Sequence, residues 1–490
     1  MTVLYPLLVS LLAVAPVRVG GKVFTESVVL GEVTTQALQA SGLPAVHRRE
    51  LGGTRILWDA LLRGDLDVYP EYTGTLSEEI FSGQVPATLD AVRAALTAHG
   101  VRIAAILGFS DSYALGMKEE VAERLGIRRI SELAQNPELR FAFSNEFLDR
   151  GDGWRALQQA YALPQHNVRG MDHDLAYRGL KRGAFEVTDL YSTDPEVQEL
   201  GLHLLEDDRR HFPDYQALLL VREAAAAPPV LAALARLEGR ISTTDMVSMN
   251  LKAKVRRVPE AQVASDFLRG QGIDVVPVVQ PGRVRRFLGY LREHLVLVGI
   301  SLTGSVLVGL PLGIFAARRP RLGQLVLGAV GILQTLPSLA LLVLMIPLLG
   351  IGARPAIAAL FLYGLLPVVR NTHAGLTGIP GELREAAEAL GLSPFSRLLH
   401  IELPLASPSI LAGIQTSAVI CVGTATLGAL VGAGGFGQPI LTGIRLDNVG
   451  LLLEGAVPAA LLALVVQASF ELLGRFVIPR GLRLARTDGS

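Results

Sequence analysis

Residues that could perform catalysis occur throughout this chain, but without the spacing that a reactive site needs. The only Gly-Lys pair, Gly21-Lys22, has Pro16 where a phosphate-binding loop requires its first glycine and Val23 where it requires serine or threonine. The nine histidines show no metal-ligand spacing, and no motif pairs a nucleophile with a base. The sequence therefore predicts a protein that is not an enzyme and holds no nucleotide, metal or other cofactor of its own.

A more informative spacing lies in the charged stretch 380–404. Its defining positions are Glu385, Ala386, Ala387, Gly391, Ile401, Leu403 and Pro404. Pro380 suits the start of a short helix, and Gly391 suits the position just after its end. Charged and apolar residues alternate along this segment, which predicts an amphipathic helix.

Long apolar runs lie on both sides of that stretch. Residues 290–490 contain 13 arginines, nine acidic residues and no lysine, in a background of leucine, alanine, valine and glycine. A run of about 20 apolar residues is long enough to cross the hydrocarbon of a bilayer as a helix. Five spanning helices are predicted: 295–317, one within 322–353, one from 355 towards 378, one at 406–430 and one at 449–470.

The arginines between these spans predict the orientation of the chain in a membrane. Arginines 318, 319 and 321 follow the first span, 384 and 397 follow the third, and four more follow the fifth, whereas only Arg354 and Arg445 fall on the other side. Positive residues accumulate in cytoplasmic loops. The stretch 380–404 is therefore predicted to be cytoplasmic, and the polar half of the chain to lie outside.

The spacing in 380–404 resembles the cytoplasmic EAA loop of ABC importer permeases at every defined position. The resemblance implies that the seven positions named above form the contact with an ATPase subunit. Because the chain has no phosphate-binding loop, ATP and magnesium are expected to be bound by that separate subunit. The family also implies the type I permease fold, two ATPase copies and a homodimer of this chain.

In the polar half, short apolar segments alternate with helical patterns. Strands are predicted at 17–20, 66–69, 184–188 and 217–221, and helices at 25–42 and 54–63. Such alternation is typical of α/β lobes with helices on both faces of a sheet, and about 260 residues accommodate two lobes. The sequence predicts a two-lobed α/β domain over residues 17–280.

Several pieces of this half resemble the substrate-binding proteins of the quaternary-amine uptake family, which handles glycine betaine, choline and carnitine. These pieces are GGKVFTESVVLGE (20–32), LGGT (51–54), DVYPEYTGT (67–75), GFSDSYAL (108–115), EFLDRGDGW (146–154), LYSTDPEV (190–197) and FPDYQALLLVR (212–222). They occur in the family's order. The resemblance implies the type II periplasmic-binding-protein fold.

The resemblance also implies a ligand site. By motif, a cage of tyrosines falls on Tyr72, Tyr113, Tyr191 and Tyr215, and donors for a ligand carboxylate fall on Lys22, Thr75 and Arg150. Aromatic faces suit a trimethylammonium group, which is a permanent cation with no hydrogen to donate. Tyr69 competes with Tyr72 for the cage, and Arg155 competes with Arg150.

These patterns predict five regions. They are 1–16, a signal or membrane-targeting segment with an apolar run; 17–280, the binding domain; 281–294, a linker or interfacial segment; 295–480, the permease; and 481–490, a cytoplasmic tail. The protein is expected in a bacterial inner or plasma membrane as a multi-pass chain with 17–280 outside the cytoplasm. Its single Cys421 excludes an intrachain disulfide, and its net charge of zero implies no nucleic-acid partner.

The expected function is the substrate-binding and permease subunit of an ABC importer for a quaternary ammonium solute such as glycine betaine, choline or carnitine. Ergothioneine or another trimethylated amino-acid derivative is an alternative substrate. A membrane-anchored ligand sensor is an alternative of another class, but it would need a cytoplasmic signalling module.

Overall fold

The computed structural model of the protein describes residues 15–277 and 281–479. Most of the predicted signal segment (1–16) and the predicted tail (481–490) lie outside the described residues. The chain divides into two compact units, one containing 15–277 with 445–447, and the other containing 281–444 with 448–479.

The first unit contains ten strands: β1 (Val17–Gly20), β2 (Ala45–Arg48), β3 (Val68–Tyr72), β4 (Val101–Ser110), β5 (Tyr113–Lys118), β6 (Phe141–Ser144), β7 (Val168–Met171), β8 (Thr188–Tyr191), β9 (Leu202–Leu205) and β10 (Gln216–Arg222). Its α-helices are α1 (Thr25–Ala40), α2 (Thr54–Arg63), α3 (Thr73–Thr75), α4 (Leu89–Ala98), α5 (Glu119–Leu125), α6 (Asn145–Asp149), α7 (Trp154–Tyr161), α8 (His173–Lys181), α9 (Glu196–Glu199), α10 (Pro228–Ala235), α11 (Thr243–Asn250) and α12 (Glu260–Gly270).

Two main sheets give this unit two lobes. The first has the order β2-β1-β3-β10-β4, with β1 parallel to its neighbours and β10 antiparallel to both of its own. The second has the antiparallel order β8-β5-β9, and the parallel pair β6-β7 lies beside it through the bridge Phe141–Val187. The chain crosses between the two main sheets twice, from β4 to β5 and from β9 to β10. The predicted two-lobed α/β fold is confirmed.

Two predicted strands are displaced. The strand expected at 66–69 begins at Val68 and continues to Tyr72, because β10 pairs with it as far as Tyr72. The strand expected at 184–188 shares only Thr188 with β8, since Gly183 turns the chain after α8 and the pairing with β5 starts at Thr188. The strand at 17–20 and the helix at 54–63 are confirmed.

The second unit is helical. Its helices are α13 (Arg283–Arg318), α14 (Pro320–Thr335), α15 (Ser338–Leu349), α16 (Ala353–Thr377), α17 (Gly381–Ala389), α18 (Pro394–Arg397), α19 (Leu403–Thr424), α20 (Gly437–Arg445) and α21 (Val449–Val477). In the described residues, four helical stretches are long and apolar enough to cross a membrane: 283–318, 353–377, 394–431 and 449–477. The segment predicted as linker or interfacial, 281–294, provides the first turns of α13.

The second predicted span is not one straight helix. Helices α14 and α15 meet at an angle of 99°, so the count reaches five only if this bent pair is one span. Pro337 explains the break, because proline lacks an N–H and disfavours helical conformation in the residue before it. The hydroxyl of Tyr363 donates a hydrogen bond to the carbonyl of Leu336, which the break leaves without a helical partner.

Small residues let α13, α16 and α19 approach closely. A Cβ at Gly364 of α16 would lie 2.5 Å from Oγ of Ser305 and 2.6 Å from Oγ of Ser417. The hydroxyl of Ser305 also donates a hydrogen bond of 2.8 Å to the Phe361 carbonyl. Packing through small residues is the usual way in which helices associate in a membrane.

Gly364→Val should therefore destabilise the helical unit, by about 1–3 kcal/mol on the scale of overpacked cores. The measurement is the midpoint of thermal unfolding of the purified full chain in detergent. Gly299→Val is the control, since a Cβ at Gly299 of α13 meets nothing within 4 Å. Equal midpoints for the two variants would contradict the close approach at Gly364.

Candidate functional site

Three tyrosines meet where the two main sheets join. Tyr113, the first residue of β5, pairs in register with Tyr191, the last residue of β8, and their ring centroids are 5.0 Å apart. Tyr215 immediately precedes β10, and its carbonyl accepts a hydrogen bond of 3.1 Å from the amide of Asp111 between β4 and β5. Its ring lies 5.8 Å from that of Tyr113. The two crossings between the sheets thus bring together residues that are far apart in sequence.

A fourth tyrosine comes from the first sheet. Tyr72 ends β3 and pairs with Ala217 of β10. The ring of Phe24, just before α1, lies 6.5 Å from Tyr72 and 5.9 Å from Tyr191, so it connects the aromatic residues of the two lobes.

These rings line a small cavity in the first unit. Its lining consists of Lys22, Phe24, Tyr72, Thr75, Asp111, Tyr113, Glu146, Arg150, Tyr191 and Tyr215. All seven ligand-site residues predicted from the sequence are in this set. That they contact a ligand remains a prediction.

The two competing residues lie elsewhere. Tyr69 is three residues before Tyr72 on the same strand, so its side chain points to the other face, where it is fully buried beside Gly20. Arg155 is exposed on α7, whereas Arg150 is buried at the cavity.

Lys22 is buried and already has an anionic partner. Its ammonium donates to the Glu71 carboxylate at 2.5 Å and to the Thr54 hydroxyl at 2.9 Å. It also lies 5.7 Å from the centre of the Tyr72 ring. Because the ammonium forms an ion pair with the fully buried Glu71, the two groups together contribute little net charge to the cavity.

Arg150, which comes from the other lobe, is likewise buried and paired with a carboxylate. Its guanidinium donates two hydrogen bonds to Asp152, of 2.8 and 3.1 Å, and one of 2.9 Å to the Tyr215 hydroxyl. It also lies over the rings of Tyr113 and Tyr215, 4.9 and 5.6 Å from their centres. Burial opposes its charge, but Tyr113, Tyr215 and Asp152 together raise the pKa of Arg150 well above its ordinary value. The guanidinium is therefore a fixed cation that orients two of the tyrosines.

The arrangement is suited to binding rather than to catalysis. Aromatic faces attract a cation through their quadrupole, each contact contributing roughly 0.5–2 kcal/mol. No group of three or more histidine, cysteine or acidic side chains with metal-binding geometry occurs in the described part of the chain.

Sequence reasoning missed three lining residues, although each lies in a motif that it used. Phe24 lies in GGKVFTE, two residues after Lys22; Asp111 lies in GFSDSYAL, two residues before Tyr113; and Glu146 opens EFLDRGDGW. Their closeness in sequence to the predicted ligand residues could have indicated that they line the same site.

The predicted amphipathic helix in 380–404 is also present. It corresponds to α17, which follows Pro380, and Gly391 adopts a left-handed conformation (φ +75°) just after its end, as expected. Ala387 is buried, whereas Leu390 and Phe395 are 78% and 72% exposed. Glu402 is buried and forms ion pairs with Arg318 at 2.7 Å and Arg397 at 3.2 Å, which fixes the start of α19.

Comparison with known proteins identifies both units. Residues 15–270, more than half of the chain, match the family described as the substrate binding domain of an ABC-type glycine betaine transport system. The chain belongs to this family. Residues 309–482 match the family of binding-protein-dependent transport system inner membrane components. The chain is therefore a substrate-binding domain fused to an ABC importer permease, which confirms the resemblance found in the sequence.

Curated relatives match the permease part. The choline transport system permease protein OpuBB of Bacillus subtilis is 41% identical over 191 residues, which cover 39% of this chain and 88% of the relative. The osmoprotectant import permease protein OsmW of Salmonella typhimurium is 41% identical over 204 residues, covering 40% and 95%.

Solved structures resemble the binding domain more distantly. One described as a glycine betaine/carnitine/choline ABC transporter is 23% identical, covers 52% of this chain and 99% of its own, and has a TM-score of 0.47. Lactococcal OpuAC with glycine betaine is 12% identical, covers 52% and 96%, and has a TM-score of 0.41. The fold assignment rests on the sheet order and the family matches, because both scores are below 0.5.

The close packing of Gly74 against Tyr215 gives a test of the cavity. A Cβ at Gly74 would lie 2.6 Å from the Tyr215 ring, so Gly74→Ala should displace that ring and weaken solute binding about tenfold. Isothermal titration of the full chain with glycine betaine and choline would measure this loss. Gly53→Ala is the control, since a Cβ there meets nothing within 4 Å. Unchanged affinity in Gly74→Ala would show that Tyr215 does not shape the binding site.

Proposed function

We propose that this chain takes up a quaternary ammonium solute, such as glycine betaine, choline or carnitine, from outside the cytoplasm. The binding domain captures the solute between its two lobes, and the membrane helices of the same chain provide the path. The observation that carries the proposal is the cavity with four tyrosines and Phe24 in its wall, in a domain of the glycine betaine family.

The permease relatives support the same solute class. They are described as transporters of choline, carnitine, glycine betaine or osmoprotectants. A tetra-alkylated nitrogen is a diffuse cation that several aromatic faces can surround at once. Closure of two lobes around it would remove water from these contacts.

ATP hydrolysis is assigned to a partner subunit. Leu390, just after α17, and Phe395, in the first turn of α18, are exposed apolar side chains within the EAA loop, and we assign the ATPase contact to this loop. The proposed contact residues are those with the family spacing, Glu385, Ala386, Ala387, Gly391, Ile401, Leu403 and Pro404. ATP and magnesium would be bound by the partner alone.

The proposed assembly is a homodimer with two ATPase subunits in a bacterial inner or plasma membrane. Residues 281–479 of one chain supply four or five spanning helices, and two such sets would enclose a path between them. The distribution of arginines favours a cytoplasmic EAA loop and a binding domain outside.

Replacing one cage residue should separate aromatic recognition from a general structural effect. Tyr191 is the least buried of the four tyrosines, so Tyr191→Leu should leave the fold intact and weaken binding of quaternary amines about tenfold, as expected for the loss of a cation–π contact. Tyr191→Phe keeps the ring and should bind nearly as well as the parent chain. The measurement is calorimetric titration of the full chain with glycine betaine, choline, carnitine and ergothioneine. If none of these compounds binds, the proposed solute class is wrong.

A charge on the exposed surface of the EAA loop should disrupt the ATPase contact. Phe395→Asp is expected to abolish co-purification of the ATPase and solute-stimulated ATP hydrolysis, while solute binding to the full chain is retained. Leu62→Asp changes an exposed leucine of α2 in the binding domain and should leave co-purification unchanged. Retained co-purification with Phe395→Asp would exclude this surface as the contact.

A further inference from the structure

Glu26 is a buried carboxylate directly behind the aromatic cavity. It accepts a hydrogen bond of 2.6 Å from the Tyr72 hydroxyl at Oε1 and one of 3.0 Å from the Asn250 amide at Oε2. It therefore connects α1, β3 and α11 and fixes the hydroxyl of a cavity tyrosine. Neither the sequence motifs nor the family spacing assigned it a role.

The hydroxyl of Thr193 links Glu26 to the second lobe. Thr193 follows β8, and its Oγ1 lies 2.5 Å from Oε2 of Glu26 and 2.8 Å from Oδ1 of Asp111. Asp111 lies in the two-residue crossing between β4 and β5 and lines the cavity. The three residues thus meet where the lobes join.

The single hydrogen of the Thr193 hydroxyl limits whether the carboxylates of Glu26 and Asp111 can both be charged. A threonine hydroxyl has one hydrogen, so it can donate to only one of two neighbouring carboxylate oxygens. If it donates to Glu26, that carboxylate receives three donors and is well satisfied as an anion. The remaining 2.8 Å contact is then a hydrogen bond only if Asp111 carries a proton and donates to Thr193.

The electrostatic surroundings favour the same assignment. Burial raises the pKa of Asp111 well above its ordinary value, and the charges of Glu26 and Asp194 add to the effect, against the hydrogen bonds from the Thr193 hydroxyl and from the Thr193 amide, which donates to Oδ1 at 3.2 Å. Burial also raises the pKa of Glu26, to about 7, against the hydrogen bonds from Thr193, Tyr72 and Asn250.

The nearby cations are engaged with other carboxylates. They and their partners are Lys22 with Glu71, Arg150 with Asp152 and with Glu146 at 3.8 Å, His173 with Asp194 and Asp189, and Lys254 with Asp174 and Glu196. None of these pairs includes Asp111 or Glu26. A proton on Asp111 therefore neutralises one of the two neighbouring carboxylates, which no side-chain cation of these pairs does.

We propose that Asp111 is a positioning residue that takes up one proton from solvent when the lobes close on the solute. The proton completes the contact of Asp111 with Thr193 and Glu26, and Glu26 in turn holds Tyr72 in the cavity wall. This inference rests on the proposed function, because it describes the closure that accompanies solute binding.

The sign of the pH dependence follows from proton linkage. In the open form Asp111 is hydrated and titrates near its ordinary pKa, whereas the closed form holds the proton to higher pH. Between the Asp111 pKa of the open form and that of the closed form, the closed form binds one more proton than the open form. Solute affinity therefore falls by up to tenfold per pH unit as pH rises through this range. Below this range both forms are protonated, and the affinity is independent of pH.

The test is calorimetric titration of the full chain in nanodiscs with choline and with glycine betaine. Titrations at pH 6 and pH 8, each in two buffers of different ionisation enthalpy, give the number of protons bound with the solute. We expect uptake of close to one proton at pH 6 and weaker binding at pH 8. In Asp111→Asn the amide supplies a permanent N–H donor to Thr193, so proton uptake should disappear and affinity at pH 8 should exceed that of the parent chain.

Two variants make the result decisive. Thr193→Val removes the hydroxyl that joins the two carboxylates, and it should weaken binding at both pH values. Glu120→Gln, an exposed carboxylate of α5, should leave proton uptake and affinity unchanged. Binding without proton uptake in the parent chain, or weaker binding of Asp111→Asn with the pH dependence intact, would overturn this inference alone. Absence of binding by either compound would instead overturn the proposed function.

Discussion

The antiparallel register that places Tyr113 opposite Tyr191 is the contact on which the cavity depends. It fixes two aromatic rings at the end of the second sheet, next to the short crossing through Asp111 that leads back to the first sheet. The hydrogen bond from the Asp111 amide to the Tyr215 carbonyl then fixes the second crossing beside the first. A slip of one residue would turn Tyr113 to the opposite face of its sheet and open the wall.

Within that wall, the protein's own cations are already balanced. Lys22 is bound by Glu71 and Arg150 by Asp152, and both lie against tyrosine faces. Their charge orders the aromatic side chains without creating a strongly positive cavity, which would repel a cationic solute. Internal ion pairs therefore shape a site whose proposed ligand is itself a cation.

Fusion of the two units has a physical consequence for transport. A tethered binding domain meets its permease at an effective concentration that is of millimolar order for a short linker, rather than at the concentration of a free protein. The permease need not recruit a binding protein by diffusion. Its helices pack through small residues such as Gly364, and such close packing favours a few discrete arrangements over continuous deformation.

Much of this organisation was predictable from the sequence. Pro380, Gly391 and the alternation of charged and apolar residues between them predicted α17, and the ordered motifs predicted seven of the residues that line the cavity. The bend at Pro337 was missed because apolar composition reports hydrophobic length and not helix direction. The sequence left Tyr69 and Tyr72 as alternatives because the end of β3 depends on pairing with β10, which is distant in sequence. The contact of Glu26, Thr193 and Asp111 was hidden for the same reason, since it forms only when the two lobes meet.

The most direct test of the whole account is solute uptake by proteoliposomes that contain only this chain and its co-purified ATPase. We predict ATP-dependent uptake of radiolabelled choline or glycine betaine without any added binding protein, and slower uptake at low solute concentration with Tyr191→Leu. Uptake that requires a separate binding protein, or that is unaffected by Tyr191→Leu, would contradict the claim that one chain both captures the solute and carries it across the membrane.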